Sequence, residues 1–391
     1  MARSVAFAGL AALTLAATPA TAQRQRLSMD PGWHFTLGDP KGAEQAGFDD
    51  RAWRRLDLPH DWSIEGTPSQ DAPAGGRGGY FPTGIGWYRK AFRMPPGAAG
   101  HAAWLEFDGV YMNSDVWING VHLGKRPYGY ISFAYDITQH LVAGVNVVAV
   151  RVDNSLQPNS RWYSGSGIYR HVWLEIVDPL HVAHWGTYVT TPTADSTGAT
   201  VVIHTRVDND RRAARGGVLR TTILDPEGRQ VALTDATFSL ATGANTEIEH
   251  RLQVKAPRLW SVQTPTLYTV RSEVLANGRV VDVVTTSFGI RSIAYDKDKG
   301  FLLNGVRVKM RGVNLHHDAG ALGAAVPERV WERRLQLLKA MGANAIRTSH
   351  NPPAPEFLDL CDRLGFLVMA EAFDEWTFGK VPEGYHKYFA E

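Results

Sequence analysis

Apolar and polar positions alternate with period two through most of the first three quarters of the chain. That is the pattern of strands with one buried face. Trp104–Phe107, Asp115–Ile118 and Val145–Val152 show it, and Asn119-Gly120 supplies a two-residue hairpin signal leading into Val121–Leu123. Short, evenly spaced strands with little helical period predict a jelly-roll β-sandwich over residues 23–179. A glycine-rich stretch, Ala74–Gly86, interrupts it as a loop bearing Tyr80 and Phe81, either to let the backbone approach a ligand or to permit turns. Val201–Val207, Val218–Leu224, Glu247–Val254, Tyr268–Leu275 and Val280–Phe288 read as further strands. Turn signals at Asp225–Gly228 and Asn277-Gly278 separate them, which predicts an immunoglobulin-like β-sandwich over 180–290. Nothing in that second unit carries chemistry, and its expected role is a brace.

The period changes from residue 291 onward. Phe301–Arg311 reads as a hairpin turning at Asn304-Gly305, its second arm continuing to His317. Pro327–Met341 is an amphipathic helix with Val330, Leu335, Leu338 and Met341 on one face, stopped by Gly342. Asn344–Ser349 is a strand and Pro355–Leu364 a second helix, stopped by Gly365. Phe366–Ala370 is an apolar strand of the kind parallel sheets bury. The β-α-β-α-β alternation predicts parallel strands with helical crossovers, the first three β/α units of a TIM (β/α)8 barrel over 291–391. The fold class is thus multidomain and mostly β.

Composition removes some functions. A net charge of +2 offers no basic field for nucleic acid or for anionic lipid. Arg3, the apolar run Val5–Ala17 and the small-x-small Ala20-Thr21-Ala22 form a signal peptide over 1–22. No later stretch has transmembrane length. The mature chain is expected to be exported, periplasmic or extracellular, with no membrane or nucleic-acid partner. Cys361 is the single cysteine, so no internal disulfide forms, and its place on an apolar helical face makes it a core thiol.

The candidate chemistry sits where a β/α barrel keeps it, at the C-terminal ends of strands. The first ends in Asn314, His316, His317 and Asp318, the second in Arg347, Ser349, His350 and Asn351, the third in Glu371, Asp374, Glu375 and Trp376. The adjacent pair His316-His317 does not share a face, and no HExxH or cysteine pair is present, so no metal site is read. Gly165-Ser166-Gly167 lacks the strand–helix context of a nucleophile elbow.

These strand ends carry a resemblance. Asn344–Phe366 (NAIRTSHNPPAPEFLDLCDRLGF) resembles the first signature of glycoside hydrolase family 2, in its exported β-galactosidase-like branch, with Asn351 where a tyrosine is usual. LPHDWSIE at Leu58–Glu65, LEFDGVYMNSDVWINGVHLG at Leu105–Gly124, RWYSGSGIYRHV at Arg161–Val172 and MRGVNLHH at Met310–His317 extend it over nearly the whole mature chain. The resemblance implies a retaining exo-glycosidase acting on a terminal β-linked sugar, most simply a β-galactosidase, with β-glucuronidase and β-mannosidase as alternatives. It also implies substrate-binding roles for His316, Arg347, His350, Asn351, Asp374 and Glu375, with Asn351 at the rim of the sugar pocket. Magnesium-dependent members carry a histidine two residues after the position of Glu375. Thr377 stands there here, so no cofactor is expected. Both catalytic glutamates are expected beyond residue 391, because the family's acid/base glutamate follows an asparagine and no Asn-Glu pair occurs in the chain. The isolated chain is expected to be inactive. A reading from another class is a noncatalytic carbohydrate-binding or scaffold protein. Oligomeric state is left open.

Overall fold

The computed structural model describes residues 24–372 other than residue 212. Asp374, Glu375 and residues 1–22, where the sequence leads one to expect a signal peptide, lie outside the described residues. Among the described residues the chain is mostly strand, with two α-helices, and no helix is long and apolar enough to cross a membrane.

The first unit is a sandwich of a four-stranded and a six-stranded sheet, antiparallel throughout. Alternation drives the packing. In Ser114–Ile118, Ser114, Val116 and Ile118 are buried while Asp115 and Trp117 are not fully so. The inward set from both sheets, including Trp33, Tyr88, Leu105, Phe107, Val116 and Val150, forms one core. The Asn119-Gly120 turn joins Ser114–Ile118 to Val121–Arg126, as the sequence predicts. The glycine-rich stretch is only partly loop: Gly75–Gly78 makes a 3-10 turn, and Gly84–Gly86 already belongs to the strand Gly84–Arg93.

The second unit is also a sandwich, with sheets of three and four strands. Two of its strands, Leu180–Ala194 and Gln230–Leu240, are absent from the sequence reading. The first carries register shifts, and the second alternates only between half-buried and exposed positions, so neither presents a clean apolar stripe. Arg24 ties the two sandwiches together. Its guanidinium reaches Glu175 (3.3 Å) in the first and Asp282 (3.0 Å) in the second.

The expected hairpin arm running on to His317 is two elements. Val306–Arg307 pairs antiparallel with Gly300–Leu303, whereas Gly312–Leu315 pairs parallel with Ala345–Thr348. Asn344 fixes the change of sheet, accepting from the Arg311 amide (2.8 Å) and donating to the Lys309 carbonyl (3.0 Å). The barrel strands Gly312–Leu315, Ala345–Thr348 and Leu367–Ala370 are parallel and in sequence order. Helices α1 (Glu328–Ala340) and α2 (Pro355–Leu364) cross between them. They bury Trp331, Leu335, Phe357, Leu360 and Cys361 together. Met341 does not join that face. It lies past the last turn of α1 and is 79% exposed, and Trp331 takes the place in the core. Burial pushes the Cys361 thiol up to about 12, so it is inert as a nucleophile.

A polar seam joins the first sandwich to the barrel. Asp61, 2% exposed, accepts from the amides of Ser63 (3.0 Å), Ser166 (2.9 Å) and Ala324 (2.9 Å) and from the Tyr163 hydroxyl (2.6 Å). Gly165 and Gly323 both have positive φ, and a Cβ at either would overlap the same carboxylate, which is why glycine stands at both. Arg170 adds a bond to the Pro352 carbonyl (3.0 Å), and His317 Nε2 one to the Ser164 carbonyl (3.0 Å).

Candidate functional site

The three parallel strands bring His316, Arg347, His350 and Glu371 to one rim. Alternation along Ala345–Thr348 leaves Arg347 half-buried while Ala345, Ile346 and Thr348 are buried, so the guanidinium points away from the helices' core. Glu371 follows the third strand and receives both basic neighbours. Arg347 Nε donates to its Oε1 at 2.6 Å and Nη2 also pairs with that oxygen. His350 Nδ1 lies 2.9 Å from Oε2. Arg347 Nη1 additionally donates to Ser349 Oγ at 3.1 Å. Arg347 Nη2 lies 3.2 Å from the same His350 nitrogen, so Nδ1 is engaged by both Arg347 and Glu371. The His316 ring stands edge-on to His350, centroids 5.6 Å apart. Burial pushes the His316 pKa down, against an opposing pull from Asp318, so the ring is neutral near pH 7.

The first sandwich also reaches this rim. The Trp162 indole stacks on His316 with centroids 4.4 Å apart and planes 11° from parallel, and its Nε1 donates to Asp318 at 2.9 Å. Asn351 is buried. Its Oδ1 lies 2.7 Å from the Tyr128 hydroxyl of the sandwich, so its contact is with the seam. Of the six residues singled out in the sequence, three thus converge at the rim, Asn351 sits behind it, and Asp374 and Glu375 are outside the described residues. The sequence reading put Glu371 among the strand-end candidates without giving it a role, and did not single out Trp162 as a site residue. The strand-end position located Glu371, but its pairing with Arg347 and His350 is a contact between strands that the sequence does not show. Trp162 had no signal, because the stacking joins positions 154 residues apart in sequence.

His317, next to this site, packs its ring against Tyr130 and Tyr169 and faces Arg170 and Asp318. Burial drives its pKa down to about 4, from an ordinary value near 6.5. The folded state therefore refuses a proton that the unfolded chain accepts. Stability present at neutral pH is lost as the pH falls from about 6.5 to 4, by about 3 kcal/mol from this group. Urea unfolding of His317→Gln across that window should give a flatter pH profile than the parent. An unchanged slope would assign the acid sensitivity elsewhere.

Basic and neutral groups dominate the rim, and Glu371 is already saturated by Arg347 and His350, so the described part of the site offers no set of free carboxylates for a metal. Among the described residues, Glu106, Glu175 and His184 do bring ligand-type atoms within 4.8 Å of one another, at the junction of the two sandwiches. Arg24 and Arg26 already pair with those two carboxylates there.

Three profiles match the chain in order. The sugar binding domain of glycosyl hydrolases family 2 matches residues 79–177, the family's central unit 180–291 and its TIM barrel domain 296–384. The chain belongs to glycosyl hydrolase family 2. Similar family members include the β-galactosidase BoGH2A of Bacteroides ovatus, 52% identical over 94% of this chain and 43% of its own length. A β-glucuronidase of Bacteroides fragilis is 34% identical over 90% of this chain and 50% of its own length. A crystal structure of a family 2 member from Bacteroides cellulosilyticus superposes with a TM-score of 0.90 at 43% identity, over 94% of this chain and 48% of that one. The chain thus spans half or less of the length of these relatives.

Proposed function

We propose that this chain is the N-terminal portion of an exported retaining exo-β-glycosidase, and that it grips a terminal β-linked sugar, most simply a β-galactoside. The observation that carries the reading is the His316–His350–Arg347–Glu371 cluster at three adjacent strand ends of a barrel domain that belongs to family 2. Imidazole nitrogens suit hydroxyl groups as donors or acceptors, and Glu371 fixes the orientation of the His350 ring before a sugar arrives. A retaining mechanism needs two carboxylates about 5–5.5 Å apart. In this proposal Glu371 positions Arg347 and His350, and the two carboxylates belong to the part of the relatives that this chain does not span. Thr377 at the position of a metal-ligand histidine goes with a mechanism that needs no magnesium.

Relatives of both specificities exist, so the terminal sugar is the point to test. Titration of chain 1–391 with methyl β-galactoside and methyl β-glucuronide, followed by calorimetry or by indole fluorescence, should show the galactoside binding more tightly. Nitrophenyl β-galactoside should not be turned over. Tighter glucuronide binding would replace the galactoside reading, and binding of neither would remove the sugar-gripping role.

A further inference from the structure

The third barrel strand pairs with its neighbour only as far as Ala370, opposite Thr348, so the sheet ladder stops short of His350 and Glu371. Whatever holds the chain just past the sheet therefore sets how these two groups meet. Among the described residues there are two such ties on the Glu371 side. The Glu371 amide donates to Thr348 Oγ1 at 3.2 Å, and the carbonyl of Ala372, the next residue, lies 2.6 Å from the Tyr128 hydroxyl. The same hydroxyl lies 2.7 Å from the side-chain amide of Asn351, the residue after His350. One phenol oxygen of the first sandwich thus touches the immediate neighbour of each site residue. The 2.9 Å contact between His350 Nδ1 and Glu371 Oε2 closes the circuit.

Proton counting fixes the roles at Tyr128. A phenol has a single O–H to give and accepts through its lone pairs. The Ala372 carbonyl can only accept, so it takes that proton. Asn351 must then donate, with its NH2 turned toward Tyr128, the two ends of an amide having the same shape. Tyr128 is itself held firmly. Its loop joins Val121–Arg126 to Phe133–Asp136, and three carbonyls of the loop are engaged. Pro127 accepts from the Asn113 amide (3.3 Å), Gly129 from the Tyr169 hydroxyl (2.9 Å) and Tyr130 from Arg170 (2.8 Å). A Cβ at Gly129 would come within 2.6 Å of the Tyr111 ring, so the loop lies against its neighbours too closely for another residue there. The Tyr128 side chain is buried beside Tyr130, ring centroids 5.5 Å apart. A hydroxyl carried on so fixed a base can fix what it touches.

We propose that Tyr128 is a positioning residue for the sugar rim: by donating to Ala372 and accepting from Asn351 it sets the contact between His350 and Glu371, and through that contact the grip on the sugar. The proposal rests on the reading of the His316–His350 rim as the terminal-sugar site. It gives the first sandwich a part in the geometry of barrel groups that it does not itself touch, and it gives Asn351 a role as a link rather than as a sugar contact.

The test reads the His350 ring directly, by NMR of chain 1–391 with isotope-labelled histidine, and sugar affinity separately, by calorimetry with methyl β-galactoside. Tyr128→Phe keeps the packed ring and removes only the O–H. It should move the His350 ring-nitrogen resonances, which are assigned by their loss in His350→Gln. It should also weaken monosaccharide binding roughly two- to tenfold, the scale of one neutral hydrogen bond. Asn351→Ala opens the circuit at its other bond and should move the same resonances. Asp61→Asn loosens the seam elsewhere and should leave them in place. On a Glu371→Ala background, Tyr128→Phe should cause no further loss of affinity, since two residues acting through one contact are not additive. Resonances that stay put in either Tyr128→Phe or Asn351→Ala, or that move as far in Asp61→Asn, overturn the positioning role. So does a Tyr128→Phe affinity equal to the parent's, or the same loss with and without Glu371, which is what a general brace between the two units would give. If the resonances move as expected but the parent binds no sugar, the terminal-sugar reading falls and the positioning of His350 by Tyr128 stands.

Discussion

Asp61→Ala should cost the chain about 4 kcal/mol of stability, among the largest losses expected from a single substitution. The carboxylate is buried and collects three backbone amides and one tyrosine hydroxyl. Alanine would leave those four donors in a space already closed by the backbones of Gly165 and Gly323, with little room for replacement water. Each unsatisfied buried donor costs about 1–3 kcal/mol, reduced by whatever relaxation the loops allow. Asp61→Asn should fall between the parent and alanine, because an amide keeps one acceptor but turns its NH2 toward donors. Equilibrium urea unfolding read by tryptophan fluorescence measures this. A loss below about 1 kcal/mol would mean that the seam is not coupled to the folding of either unit.

Glu371→Ala should leave stability nearly unchanged and weaken monosaccharide binding by about ten- to a hundredfold. The three side chains of its cluster are 25–35% exposed, so the ion pairs contribute at most about 1 kcal/mol to folding. Their effect on the site is larger. Without the carboxylate, the Arg347 guanidinium keeps Ser349, Asn314 and the His350 ring as its partners among the described residues, and His350 loses the acceptor that orients it. Hydrogen bonds to charged groups of this kind are worth about 1.5–3 kcal/mol, which converts to the stated range of affinity. Glu371→Gln should recover part of the loss, since its oxygen still accepts from Arg347. Calorimetric titration, with thermal melts as the control for folding, checks both halves. An affinity within threefold of the parent would show that Glu371 positions nothing the sugar feels.

The architecture was legible because its periods are clean. Alternation in Val145–Val152 and the switch to a helical period at Pro327 come from backbone geometry alone. The helix Pro355–Leu364 is found with the bounds its Pro and Gly punctuation suggest. Where the sequence misled, a long-range contact was responsible. The run from Val306 to His317 looks continuous, yet Asn344, far along the chain, turns it from one sheet to another. Met341 fits a helical face by spacing, yet the helix ends before it. The site was readable to the extent that it lies at strand ends, which is how His316, Arg347 and His350 were found. Asn351 shares the motif but is drawn into the seam by Tyr128, and Trp162 comes from a different domain. No local pattern announces either contact.

The seam also constrains how such a protein can be recombined. Asp61 with Ala324, Trp162 with Asp318, Ser164 with His317 and Arg170 with Pro352 are pairs in which one member belongs to the sandwich and the other to the barrel. A hybrid joining the front of one homologue to the barrel of another would keep this seam only if the side chains that make it, Asp61, Trp162 and Arg170 on one side and His317 and Asp318 on the other, were all present. The two units are therefore expected to be inherited as a block.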